Sequence, residues 1–129
     1  MTPGAMAYAD VIEFWFSELS QNDWWKKDPA LDRQIAQRFG AVHAAAARSE
    51  LFHWRASAEG RLAEVLVLDQ FSRNIFRDTP GAFASDPLAL ALAQEAVSHG
   101  FDKSLPARQR VFLYMPYMHS ESRAVHVEA

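Results

Sequence analysis

From Leu62 to Leu68 the chain is apolar at almost every position, in Leu62, Val65, Leu66, Val67 and Leu68, and then turns polar in Asp69, Gln70, Ser72, Arg73 and Asn74. A helix that is hydrophobic all round is one surrounded by protein rather than half in water. Asp and Arg at its end are costly unless they are paired, hydrogen-bonded or set in a cleft, because a charge taken out of water costs several kcal/mol. Ser57 is placed to cap this central helix, which is expected to run to about Ser72 and to carry Asp69 and Arg73 one turn apart.

The remaining pattern is also helical. Asp10 and Glu13 have the spacing of a capping box, and Val11, Trp15 and Leu19 recur every four residues, so a first helix is expected over Asp10 to Leu19. Ser20 to Asp23 reads as a turn, and Asp28-Pro29 as a cap followed by proline at the first helical position. The second helix then carries the stripe Leu31, Ile35, Phe39, Val42 and Ala46 to about Arg48, with Arg33, Gln34 and Gln37 facing away. Thr79-Pro80-Gly81 marks a turn, Asp86-Pro87 repeats the cap-and-proline device for a fourth helix, and Gly100 stands where a left-handed C-cap is expected, with His99 beside it facing the helix dipole. A fifth helix opens at Ser104 to Pro106. Pro116 is expected to end or kink it and so displace Tyr117 to Glu121, and Ser122 to Ala129 begins a sixth helix that is only partly buried. No stretch alternates with period two, so the fold class is all-α: antiparallel helical hairpins, five to six helices, in a tetratricopeptide-like right-handed stack over a single domain of residues 1–129.

Composition narrows the function classes. A chain of 129 residues that is 50% hydrophobic can bury a sizeable core without disulfide or metal, and the lack of cysteine removes thiol nucleophiles and thiolate metal sites. The thirteen Lys and Arg are scattered with no run longer than Lys26-Lys27 and the net charge is -3, which disfavours nucleic acid. No signal sequence or membrane-length apolar run is present, so a cytoplasmic location is expected, with no membrane partner.

Four segments together resemble the bacterial family known as domain of unknown function 924: Phe14-Trp15-Phe16, Leu68-Asp69-Gln70-Phe71-Ser72-Arg73-Asn74-Ile75-Phe76-Arg77, Asp86-Pro87-Leu88-Ala89, and Tyr114-Met115-Pro116-Tyr117-Met118-His119-Ser120-Glu121. The resemblance implies a tetratricopeptide-like helical fold and brings no reaction with it. Members of that family typically continue through another helix pair and a segment of the type Phe-Gly-Arg-Phe-Pro-His-Arg-Asn. This chain ends at Ala129 and so resembles the N-terminal two-thirds of the family's domain. If the further segment closes over Asp69 and His119, the chain carries an incomplete site or an exposed apolar helix face open to self-association.

Two constellations could carry chemistry. Asp69 with Arg73, Arg73 with Arg77, and Gln70 with Asn74 all stand four residues apart and form adjacent polar stripes, an anion-recognition surface whose guanidinium forks suit carboxylate or phosphate. A structural ion-pair network at a helix end would have the same sequence, and only a cleft separates the two. The second constellation is His119-Ser120-Glu121, in which imidazole titrates near neutrality and Glu121 could orient it or join it on a metal. Residues two apart on a helix point apart, so no metal or other cofactor is assigned. Ser72 and Ser120 lack the glycine elbow of a serine hydrolase, and the five glycines form no phosphate loop. His43 and His53 read as packing residues, and Trp24-Trp25 either rims a binding surface or locks a turn onto the core.

Two functions follow from these residues. One is a binding or interaction module that presents Asp69, Gln70, Arg73, Asn74, Arg77 and His119 to an anionic peptide or small metabolite. The other is a small hydrolase-type enzyme in which His119 is acid or base, Asp69 or Glu121 orients it, and Arg73 stabilises developing charge. Convergence of His119 with Asp69 and Arg73 in one pocket favours the enzyme.

Overall fold

The computed structural model describes residues 6–129, and every regular element among them is helical. In chain order these are α1 (Tyr8–Glu13), α2 (Gln21–Trp25), α3 (Pro29–Ala47), α4 (Ala58–Leu66), α5 (Ser72–Ile75), α6 (Asp86–Ser98), α7 (Ala107–His119) and α8 (Arg123–Glu128). The all-α class expected from the periodicity is therefore what the chain adopts.

The axis of the molecule is the apolar run. Ser57 caps it as expected, its Oγ accepting the Gly60 N–H at 3.0 Å. From α4 the backbone widens into a π turn over Val67–Phe71 and continues without a break into α5. This helix packs against α1, α3, α6 and α7, and Leu62, Val65, Leu66, Val67, Leu68 and Phe71 are inaccessible to solvent. Enclosure on all sides is why no polar face interrupts the run.

At the N-terminus the structure moves one boundary. Asp10 is not the cap of the first helix; it lies in its first turn and folds back so that Oδ2 accepts the Ala7 N–H at 3.2 Å. That helix also widens into a π turn, over Phe14–Glu18, which carries the buried Phe14, Trp15 and Phe16. Ser20 to Asp23 is more than a turn: Asp23 Oδ2 accepts both the Ser20 N–H at 2.8 Å and the Ser20 hydroxyl at 3.1 Å, and this box starts the single-turn α2. Too short to show a period, α2 cannot be read from hydrophobic spacing. The long α3 agrees with expectation, with Asp28 Oδ1 accepting from Ala30 and Leu31 and with its whole predicted stripe buried.

Two departures concern the second half. Asp86 is not a cap; it is the first residue of α6, and its carboxylate is turned onto Arg73. Pro116 does not end its helix either. α7 runs through it for a further turn to His119, because Pro116 is buried and the packing of α7 on α4 and α6 holds the segment helical despite the missing donor. Gly100 takes the left-handed conformation expected of it, with φ 77°. α8 is a short helix with no buried residue, and Val111 and Met118 on α7 are exposed.

Candidate functional site

The π turn delivers the polar cluster. Two carbonyls of the widened turn accept from side chains one turn on: Leu68 O from Ser72 Oγ at 2.6 Å, and Asp69 O from Arg73 Nη1 at 2.7 Å. π turns inside α-helices recur at functional sites because they re-aim side chains at small cost. Here the widened turn holds the Asp69 side chain, itself inaccessible to solvent, among three donors. His119 Nδ1 lies 2.8 Å and Arg73 Nη1 3.3 Å from Asp69 Oδ1, and Gln70 Nε2 donates to Oδ2 at 2.9 Å.

Arg73 is held by two aspartates. Beyond Asp69 it donates from Nη1 and Nη2 to the two carboxylate oxygens of Asp86, each at 2.9 Å, and its guanidinium lies 5.3 Å from the centre of the Phe83 ring. Further along, Asn74 Nδ2 donates to Asp32 Oδ1 at 2.9 Å, and Arg77 donates to both Asp32 oxygens at 2.7 and 3.1 Å. Burial pushes the Asp32 carboxyl up, but the hydrogen bonds from Arg77 and Asn74 outweigh it and hold the group below the usual carboxylate range. The stripe read as an open anion-recognition surface is thus largely an internal network, and each guanidinium is matched to an aspartate that local sequence does not point to. Asp86 has a sufficient local reading as a cap, and Asp32 lies in the first turn of α3, where an acid is ordinary.

His119 lies on the open side of this network, beside Arg73 and Asp86. Asp69 accepts from Gln70 and Arg73, as an ionised carboxylate does, so the shared proton sits on His119 Nδ1. The neutral ring then carries an unprotonated Nε2, which has no hydrogen-bond partner among the described residues. The ring, about a quarter exposed, walls a cavity of about 710 Å³ that also takes in Arg73, Asp86, Leu90, Ser120 and Glu121. Glu121 lines that cavity from beyond the end of α7, exposed and without a hydrogen bond to His119, so Asp69 and not Glu121 orients the imidazole. Ser120 Oγ accepts the Ser122 N–H at 3.1 Å and makes no bond to His119. Beyond the same Arg73 and His119 wall lies a second groove of about 290 Å³, bounded by Trp24, Trp25, Lys26 and Lys27.

Other candidates resolve as packing. Ser72 is inaccessible, and its single hydrogen goes to Leu68 O, so it accepts from His43 Nε2 at 2.7 Å. Burial pushes the His43 imidazole below its ordinary value, which keeps it neutral in this role. The two tryptophans differ in burial. Trp24 is locked by a 2.9 Å bond from Nε1 to Trp15 O, whereas Trp25 is 62% exposed with one face stacked on Phe112. Among the described residues no group of three or more His, Asp or Glu converges as a metal site, and no helix is long and apolar enough to cross a membrane.

Residues 11–129 match the model of a family described as bacterial protein of unknown function (DUF924). The solved structure of a protein of unknown function from Agrobacterium tumefaciens is similar, at 42% identity and a TM-score of 0.89, over 94% of this chain and 68% of that one. No curated protein matches the sequence.

Proposed function

We propose, for a chain that belongs to this bacterial family of unknown function, that His119 and Asp69 form the acid–base centre of a small-molecule hydrolase acting on an ester or amide held in the larger cavity. The observation that carries this reading is the 2.8 Å bond between His119 Nδ1 and the wholly buried Asp69, in a ring that also lines the cavity and leaves Nε2 without a partner among the described residues. A carboxylate that fixes tautomer and ring orientation is what a histidine base requires. His119 Nε2 takes a proton from water as the oxygen adds to the carbonyl carbon. The bond to the leaving oxygen or nitrogen then breaks, and the imidazolium returns the proton to the leaving group, so one water is divided between acid and alcohol or amine. Arg73 is a positioning residue here. Compensated by Asp69 and Asp86, it holds the aspartate rather than the developing oxyanion.

Turnover of a panel of small esters and amides by wild type, His119→Ala and Asp69→Asn tests the reading. Loss of about two to four orders of magnitude in kcat for both variants is expected. Equal turnover in wild type and His119→Ala, or none by the wild type, would overturn it. In the latter case, ligand binding at the same cavity without turnover is the reading that replaces it, that of a module for an anionic metabolite or peptide.

A further inference from the structure

The groove on the other side of the Arg73 and His119 wall has a different chemistry from the cavity. Its lining includes four cationic side chains, Lys26, Lys27, Arg73 and Arg77, and no carboxylate. The aspartates that serve the two guanidiniums stand behind them: Asp32 takes Nε and Nη2 of Arg77 and leaves Nη1 without a partner among the described residues, and Arg73 is matched by Asp69 and Asp86. The lysines are matched much less closely. Lys26 lies 4.0 Å from Asp23, and Lys27 lies 3.6 Å from Asp78, whose own side chain is 79% exposed. Ion pairs that long and that exposed contribute close to nothing. Two loosely paired lysines and a guanidinium with one uncommitted nitrogen therefore line the groove, and Trp25 and Met115 add apolar surface to it.

We propose that this groove is a recognition subsite for the phosphate group of a small phosphate monoester with a flat apolar substituent. The phosphate lies between Lys26, Lys27 and Arg77, and the substituent lies over Trp25 toward His119. A phosphate monoester carries about 1.5 to 2 negative charges at neutral pH, which the two loosely paired lysines balance without disturbing the Asp32 and Asp86 pairs. A groove of about 290 Å³ with a tryptophan at its rim holds one ring and one phosphate, not a folded partner. The inference goes beyond the hydrolase reading, whose ester or amide is held in the larger cavity across the same wall, and does not rest on it.

Calorimetric titration with phenyl phosphate, inorganic phosphate, benzoate and phenol separates the contributions without requiring turnover. Saturable binding of phenyl phosphate is expected, tighter than inorganic phosphate or benzoate, absent for phenol, and weakened by added salt. The Lys26→Ala/Lys27→Ala variant, altered only at exposed positions, should bind phenyl phosphate between about twofold and thirtyfold more weakly. Trp25→Ala should weaken phenyl phosphate and leave inorganic phosphate unchanged. No saturable heat at millimolar phenyl phosphate, or equal affinity in the double-lysine variant with its thermal midpoint preserved, overturns the subsite. His119→Asn keeps the two readings apart. It should abolish turnover and still bind phenyl phosphate saturably through Lys26, Lys27 and Arg77; in the wild type, binding without turnover sinks the hydrolase alone, and turnover without binding sinks the subsite alone.

Discussion

Asp86 holds Arg73 with both carboxylate oxygens, each 2.9 Å from a different guanidinium nitrogen, while Asp69 shares Nη1 of the same residue at 3.3 Å. One cation thus joins the first turn of α6 to the π turn of the central helix, and the two aspartates differ in what its loss would mean. Asp69 is inaccessible, whereas the Asp86 side chain is 25% exposed and can recover water. Arg73→Ala is expected to cost about 3–5 kcal/mol in urea unfolding, because it leaves a buried carboxylate short of its cation. Asp86→Asn should cost clearly less, and Arg73→Lys should fail to restore wild-type stability because an ammonium cannot engage both oxygens as a planar fork does. Equal small losses for all three would show that the pair is not structural.

Asp69 and His119 make a separate prediction that needs no substrate. In the folded protein the neutral His119 ring should carry its proton on Nδ1, and Asp69→Asn should erode that preference because an amide can accept from Nδ1 or donate to it. Nitrogen-15 chemical shifts of the imidazole read the tautomer directly. An unchanged tautomer mixture in Asp69→Asn would mean that the carboxylate does not set the ring.

Two buried or half-buried groups should contribute to the pH dependence of stability in separate windows. His43 is held neutral by burial, with its folded value below the ordinary 6.5. Below 6.5 the unfolded chain takes up a proton that the folded ring resists, so stability falls with pH at no more than about 1.4 kcal/mol per unit, and above 6.5 the effect vanishes. His43→Gln should flatten the curve below pH 6.5. Asp32, held low by Arg77 and Asn74 against its own burial, contributes in full above its ordinary 3.8 and loses that contribution only as pH falls through the folded value. Asp32→Asn should therefore flatten only the acid end. Thermal midpoints across pH 2 to 8 check both.

A steric prediction concerns the start of the central helix. A methyl group on Gly60 would run into the backbone carbonyl of Trp54, which cannot swing aside as a side chain end can. Gly60→Ala should destabilise by about 1–3 kcal/mol although alanine is the better helix former, measured by the urea midpoint. A gain in stability would show that the turn before α4 can shift.

Much of this architecture is legible in the sequence, and the illegible parts share a cause. Asp69 and Arg73 stand out because charges at the end of an all-apolar helix demand partners, and the long α3 is readable from its stripe and its cap. Asp86 and Asp32 are hidden because each is an acid near a helix start, where a local role suffices, while their actual partners lie 13 and 45 residues away. Periodicity cannot register either π turn, since one wide turn changes the phase of the pattern without breaking it. Pro116 misleads for the opposite reason: its local penalty is real, and the packing of α7 on α4 and α6 overrides it. Lys26 and Lys27 carry no sequence signal beyond adjacency, because the groove they share with Trp25 is completed by α5 and α7.

In terms of chain length, the widened turn at Val67–Phe71 amounts to a single surplus residue, accommodated where an α-helix would have needed one fewer. Removing one residue from it would let the segment close into regular α-helix with the turns on either side in nearly their present phase, so Arg73 and Arg77 would stay opposite Asp86 and Asp32. What would go is the wide turn itself, and with it the placement that lets Asp69 meet His119, Gln70 and Arg73 at once. The central helix can therefore keep its fold and its outer ion pairs across a deletion that removes the Asp69 geometry, so the length of this segment, as much as the identity of Asp69 or His119, is what an intact site requires.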